Sequence, residues 1–563
     1  MPIARRSHLT GTTGVALGLA ACLTVLPAAL LAQAATAAPA TSPAALTAAA
    51  DRVFAQWNST HTPGCAVGVS RGGQVLLERG YGMADLAGER PITPSTILES
   101  GSVAKQFTAA AVMVLVADGV VKLEDDARKW LPELPTYDRP ITVRHLLTHT
   151  SGLREWSNLV AWQGWPRGTR MHIQPDVFAL ITSQKVTNYP VGAHYSYTNS
   201  GFLLLRTLVE RASKQTFSNF TRTRIFEPLG MKNSSWREDY TRIVPGLAQA
   251  YEPVGSGFRL DMPFDNIIAA GGMWTTVGDW LKWNEALTNK TLGSAVVDSM
   301  TQRMRLNNGL EIAYALGLTV GQYRGTPEIQ HSGSTAGYST FLARYPSLGN
   351  LSIAVMCNVA GAGATGYTRA LVDALHPELP RAAAPDTITT DQSRLLEWRG
   401  YYEDTRWHTI TRIDTVGGVM RQGATPLRAL RDGSYLAGGQ RMRFAMDADG
   451  KTRTTRFTTS DGDSVVWKWR ADAPWRPTAT ELAAFEGRYR SGEIDATWTV
   501  SVRNGQLTMS PRAGLVRALV PTVRDAFDSP GEAVWFTRDR KGRVTAMHFG
   551  SARAWDFVFE RLP

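Results

Sequence analysis

Ser102-Val103-Ala104-Lys105-Gln106-Phe107-Thr108-Ala109-Ala110-Ala111-Val112-Met113-Val114-Leu115-Val116 joins a serine, a lysine three positions on, and a run that stays apolar nearly all round until Asp118-Gly119. Such a run is the pattern of a helix surrounded by protein. Positions i and i+3 share a helix face, so the Ser102 hydroxyl and the Lys105 amine can meet at its start. Burial disfavours the ammonium form of the lysine and lowers its pKa toward that of a working base. The helix N-terminus favours negative charge on an attacking oxygen. On its own the plainer reading is a helix-start serine beside a snorkelling lysine, because S-x-x-K recurs by chance about once or twice in a chain this long.

Two further motifs shift that balance. Tyr197-Thr198-Asn199 follows the turn Val191-Gly192-Ala193-His194 and enters the apolar run Gly201-Phe202-Leu203-Leu204-Leu205, which puts it on a connection held by rigid elements. His331-Ser332-Gly333 ends a short expected strand, Pro327-Glu328-Ile329-Gln330, and its glycine lets a strand edge approach a ligand closely. Serine-lysine, tyrosine-x-asparagine, then basic-x-glycine, in that order, is the three-part signature of the serine β-lactamases and penicillin-binding proteins, and the chain resembles that superfamily. Pro94-Ser95-Thr96, Leu123-Glu124-Asp125-Asp126, the stretch Ile141 to Leu153, Ala270-Gly271-Gly272-Met273 and the segment behind Asp279 look like its class C-type branch, peptidase family S12.

The resemblance implies Ser102 as acylated nucleophile, Lys105 as its partner, Tyr197 as proton shuttle and Asn199 as a holder of the substrate amide. The oxyanion would be met by the backbone N–H groups of Ser102 and of Ser334, just past Gly333. His331 stands where β-lactamases have lysine. A neutral imidazole is a poor counter-ion for a substrate carboxylate, so esterase, D-aminopeptidase or DD-peptidase chemistry is favoured over β-lactam hydrolysis. His145 and His149 have i, i+4 spacing, but no glutamate accompanies them in the zincin arrangement, so neither a metal nor another cofactor is expected. Trp156, Trp162 and Trp165 fit either packing against a helical domain or an aromatic rim over the acyl pocket.

At 563 residues and 43% hydrophobic content, the chain exceeds what a single core usually serves. Arg5-Arg6, the apolar stretch Val15 to Ala32 and Ala32-Gln33-Ala34 read as a signal peptide over residues 1–34, hence export to periplasm or exterior. The alternative is a lipid anchor at Cys22, in Leu19-Ala20-Ala21-Cys22. The formal charge of +11 falls to +9 without Arg5 and Arg6, and no basic block stands out, so no nucleic-acid partner and no stable membrane insertion are expected. Cys65 and Cys357 remain, each in a strand-like run, and the resembling fold makes those strands neighbours. Two buried free thiols are the expected state, with a disulfide as the alternative.

The expected fold class is α+β: a β-lactamase-like catalytic domain over 42–376, with an antiparallel sheet flanked by helices and a helical subdomain, then a linker over 377–390 and two small antiparallel, lipocalin-like barrels over 391–472 and 475–563. The sheet's first hairpin should turn at Gly72-Gly73, and three strands and the helix Tyr367 to Leu375 should close the domain. In the tail, Asp432-Gly433, Asp449-Gly450 and Asp461-Gly462 are turn signals. L-x-x-aromatic-x-G-x-Y recurs 87 positions apart, at Leu395 to Tyr402 and Leu482 to Tyr489. This arrangement resembles the D-aminopeptidases, as do Gly192 to Tyr197, Ser151 to Glu155 and Asp525 to Glu532. An aminopeptidase must bind a free α-ammonium, and the three motifs supply no anion. The segment Arg524 to Gly531 is therefore expected to reach into the catalytic mouth with Asp525 against the substrate amine, or else to be a solvated hairpin tip. The resulting expectation is a serine hydrolase acting on D-amino-acyl amides, esters or short peptides. The alternatives are an esterase or DD-carboxypeptidase of the same fold, then a class C-like β-lactamase, then a non-catalytic ligand receptor. Oligomeric state has no signal in the sequence.

Overall fold

Cys65–Arg71 and Gln74–Tyr81 form a hairpin across Gly72-Gly73. Both turn residues have positive φ, 54° and 82°, the geometry a two-residue hairpin requires. The computed structural model describes residues 42–381, 386–388, 396–448, 450–458 and 463–563. The hairpin is one edge of a six-stranded antiparallel sheet with spatial order 319–323, 326–335, 338–345, 351–357, 65–71, 74–81. The chain thus lays down two strands, leaves for a helical insert, and returns with four strands rather than three. The added one, Thr319–Tyr323, is a short edge strand. The closing helix begins at Ala364, three residues earlier than expected.

Alternation along the strands gives the sheet two apolar faces. Cys65, Val67 and Val69 pack with Ile353 and Val355 against the helices Pro43–Val53 and Ala364–Leu375. Ala66 and Met356 point the other way, into the core that holds the helix Val277–Thr288. Gly68 admits that helix closely, since a Cβ there would lie 3.1 Å from Leu281 Cδ1. Cys65 and Cys357 are direct register partners and are joined by a disulfide, which corrects the expectation of free thiols. Behind the sheet the nucleophile helix, Lys105–Ala117, is buried at every position from Lys105 to Leu115.

The tail forms two barrels. The first closes fully, with eight strands from Gly400–Asp404 to Ser464–Arg470. The second has nine strands, and its two terminal strands, Leu515–Ala518 and Val520–Pro521, are separated only by Leu519, so the sheet curls until its edges meet. The repeated motif does the same work twice. The Tyr402 hydroxyl donates to Trp398 O at 2.9 Å and that of Tyr489 to Phe485 O at 2.7 Å. An arginine grips carbonyls of each copy, Arg453 on Glu397 and Arg399, Arg561 on Ala484 and Glu486. Gly433 turns on Leu430, as expected of Asp432-Gly433. Leu395, Asp449, Asp461, Gly462, residues 382–385 and 389–390 of the linker, and the signal segment lie outside the described residues. No helix among the described residues is long and apolar enough to cross a membrane.

From Pro43 onward the chain is one compact unit, and the second barrel shares a continuous core with the catalytic domain. Trp162 is the plug. Its ring lies 5.4 Å from Phe549 and 5.3 Å from Phe557, its Nε1 donates to Glu532 Oε1 at 2.9 Å, and its carbonyl accepts from Trp498 Nε1 at 2.8 Å. Trp165 lies under the Arg512 guanidinium, 4.0 Å from its ring centre. Two of the three tryptophans therefore face a barrel, which neither expected reading had included, and Trp156 alone lines the catalytic cavity.

Candidate active site

Ser102 sits in a 3₁₀ turn, Gly101–Ala104, that leads straight into the nucleophile helix. Lys105 Nζ lies 3.1 Å from Ser102 Oγ, 2.7 Å from Asn199 Oδ1 and 2.6 Å from the Ala270 carbonyl oxygen. The lysine is fully buried, and that burial holds its pKa well below the ordinary value, with Arg553 and Arg167 pushing the same way against Glu155. An uncharged amine has two N–H donors and one lone pair. Asn199 Oδ1, Ala270 O and Ser102 Oγ are the three hydrogen-bond neighbours of Lys105 Nζ, so on losing a proton the amine can keep its donors on the first two and turn its lone pair to the serine hydroxyl.

Asn199 is held from behind by Glu155, a fully buried carboxylate to which sequence reading assigned no role. Glu155 Oε1 accepts from Asn199 Nδ2 at 3.0 Å, and Oε2 accepts from Asn199 N at 2.5 Å and Thr198 Oγ1 at 3.1 Å. The Asn199 side chain is thereby oriented between Lys105 and Glu155 at the wall of both cavities beside Ser102. Tyr197 presents a buried hydroxyl toward Ser102, and burial pushes its phenol up. Beneath its ring lies His149, 4.2 Å between centroids, whose Nδ1 accepts from Thr198 N at 3.3 Å. His145, its i−4 neighbour, instead caps the helix Val143–Leu147 through Thr142.

The strand bearing His331 does not stop at Gln330; it runs from Thr326 to Thr335, with Gly333 opposite Thr340 and Ser334 opposite Ser339. Small residues let it press on the nucleophile turn. A Cβ on Gly333 would lie 2.2 Å from Ser100 O, and one on Gly101, at φ 50°, 2.6 Å from Ser334 N. His331 Nδ1 donates to Ser332 O at 2.6 Å, which leaves Nε2 to accept from the Tyr314 hydroxyl at 2.8 Å. Burial lowers its pKa to about 3. Tyr314, which no motif marked, thus fixes a neutral imidazole. No local signal marks either Tyr314 or Glu155, since each acts on a residue distant in sequence.

Ser102 lies between two cavities. A small one, about 50 Å³, is lined by Trp156, Arg167, Arg237, Ile267 and Gly271 among others. The larger, about 470 Å³, is lined by Tyr197, His331, Ser334, Thr365, Arg167 and Arg553. Asp525 is in neither. It sits at φ 62° just before the strand Ala526–Ser529, ion-paired with Arg538 at 2.8 Å. Pairing of 526–529 with 532–538 makes the segment a barrel hairpin, so the expected reach into the mouth is corrected. The barrel element that does arrive is the turn between Val544–Ser551 and Ala554–Arg561.

Residues 49–376 match the family described as Beta-lactamase, which is more than half of the chain. The chain belongs to the beta-lactamase family. Among relatives of this beta-lactamase-family protein, a D-aminopeptidase of Cereibacter sphaeroides (strain KD131) is 26% identical over 522 residues, covering 88% of this chain and 96% of the relative, so the likeness continues through the barrels. Penicillin-binding protein 4* of Bacillus subtilis (strain 168) is 28% identical over 302 residues, 49% of this chain and 64% of that protein, so the chain spans less than two thirds of its length. In fold, the chain is similar to D-amino acid amidase from Ochrobactrum anthropi SV3, with a TM-score of 0.51 at 19% identity over 59% of this chain and 99% of the other.

Proposed function

We propose that the chain is a serine hydrolase that works through an acyl-enzyme on Ser102 and cleaves amides, esters or short peptides built from D-amino acids. The observation that carries the chemistry is the fully buried Lys105 amine, whose pKa burial holds well below its ordinary value, 3.1 Å from Ser102 Oγ. Ser102 Oγ attacks the substrate carbonyl carbon as its proton passes to Lys105 Nζ. The carbonyl oxygen becomes an oxyanion facing the N–H groups of Ser102 and Ser334. The proton reaches the leaving nitrogen or oxygen through the Tyr197 hydroxyl, the C–N or C–O bond breaks, and water then attacks the ester to release the acid and restore Ser102. The names of the full-length relatives support the D-configured substrate class. We also propose export, for which the Arg5-to-Ala34 pattern and the Cys65–Cys357 bond speak, since disulfides persist in oxidising compartments.

The test is labelling with a fluorescent fluorophosphonate, followed by turnover of D- and L-amino-acid p-nitroanilides beside p-nitrophenyl esters and nitrocefin. Ser102→Ala is expected to remove label and turnover while retaining the wild-type circular dichroism, and mass spectrometry should find one adduct, on Ser102. An adduct elsewhere, or an active variant, sinks the mechanism; turnover confined to L-substrates sinks the D-configured class alone.

A further inference from the structure

We propose that Arg553, delivered by the second barrel, is the anchor for a substrate carboxylate on the leaving-group side, so that the favoured substrates are short peptides with a free C-terminal carboxylate one or two residues beyond the cleaved bond. This rests on the acyl-enzyme reading above and goes further by naming which end of the substrate is recognised.

The assignment of sides comes from Tyr197. Proton delivery to the departing group is its proposed task, and Tyr197 lines the larger cavity and not the smaller, so the larger receives the leaving group. Its 470 Å³ is room for one or two amino-acid residues. Among the described residues no aspartate or glutamate lines either cavity, so an incoming ammonium meets no carboxylate there. Three basic side chains line the larger one. His331 is neutral and committed to Tyr314. Arg167 is paired with Asp265 at 2.7 Å. Arg553 has no carboxylate partner among the described residues, and its guanidinium stands 4.9 Å from the centre of the Tyr197 ring.

Its backbone is fixed by bonds to the catalytic domain on both sides of the turn. Arg553 O accepts from Glu155 N at 3.1 Å and from Asn188 Nδ2 at 3.1 Å, and Asn188 Oδ1 accepts in turn from Trp555 N at 3.0 Å. Arg154 Nη2 donates to Asp556 O at 2.7 Å. Glu155 therefore holds Asn199 with its side chain and Arg553 with its main chain, which sets the guanidinium against the serine-lysine pair through one residue. A planar guanidinium held at the wall of that cavity is suited to grip a carboxylate through two parallel hydrogen bonds.

The experiment pairs a D-alanyl-D-alanine-type dipeptide acid with its C-terminal amide and reads both kcat/KM in the wild type and binding to Ser102→Ala by calorimetry, where no turnover intervenes. The acid should be preferred in both. Arg553→Gln should cut that acid-to-amide ratio by about thirtyfold, mainly through KM, because a charge-assisted pair is lost. Arg553→Lys should restore part of it. High salt should erode the wild-type preference. An unchanged ratio in Arg553→Gln, or equal losses on acid and amide, overturns the proposal. A binding preference that persists in a protein that fluorophosphonate does not label instead overturns the hydrolase reading and leaves the carboxylate anchor standing.

Discussion

His331 is an imidazole that folding keeps uncharged. Its free counterpart titrates near 6.5 and the folded one at about 3, so between those values the unfolded chain binds a proton that the native chain refuses. The stability this histidine contributes is complete above pH 6.5 and is lost progressively as pH falls toward 3, at about 1.4 kcal/mol per pH unit. His331→Gln should therefore flatten the acid limb of a chemical-denaturation stability profile, and an unchanged limb would show that another group, such as the buried His149, governs it. The same residue scale shows where sequence reading reaches and where it stops. Ser102 with Lys105, Tyr197 with Asn199, and His331 with Gly333 are each neighbours along one element, so spacing alone brings them together. Glu155 reaches Asn199 across 44 positions, Tyr314 reaches His331 from a loop, and Asp525 was given an acidic task that Arg538 already claims.

Between elements, the pairing of strands decides what local pattern cannot. The strand-like runs around Cys65 and Cys357 were legible, but their relative register was not, and a shift of one residue would put the two sulfurs on opposite faces. The observed register sets them directly opposite, on the face covered by the helices Pro43–Val53 and Ala364–Leu375. The bond closes a loop of 292 residues and ties the strand that opens the sheet to the one that is laid down last. In the chain-entropy account a closure of that length stabilises by roughly 5–6 kcal/mol. The double variant Cys65→Ala, Cys357→Ala should accordingly lose activity at a clearly lower temperature while its kcat at 25 °C stays near wild type, because both sulfurs face away from the nucleophile helix. A midpoint that does not move would mean the cross-link adds nothing that the sheet does not already supply.

At the scale of the whole molecule, the two barrels differ in independence. The first has its own core, built around Tyr402, Ile413, Met442 and Phe457, whereas the second merges its core with that of the catalytic domain. Composition and the L-x-x-aromatic-x-G-x-Y repeat made both barrels legible; which of their many turns would meet the active site was not, because every turn of a barrel looks alike in sequence. A chain ended at residue 376 should expose Trp162 and the apolar surface around it, bind a hydrophobic dye and aggregate; a monodisperse fragment that hydrolyses p-nitrophenyl esters at the full-length rate would refute the shared core. The route by which the hairpin reaches Glu155 also has a temporal side. Gly333 completes the last of the three motifs, and Arg553 follows 220 positions later. At ordinary translation speeds a nascent chain would carry all three motifs for about 10 to 45 s before the proposed carboxylate anchor is synthesised. If Arg553 is that anchor, discrimination between substrates is the last property this protein acquires as it is made.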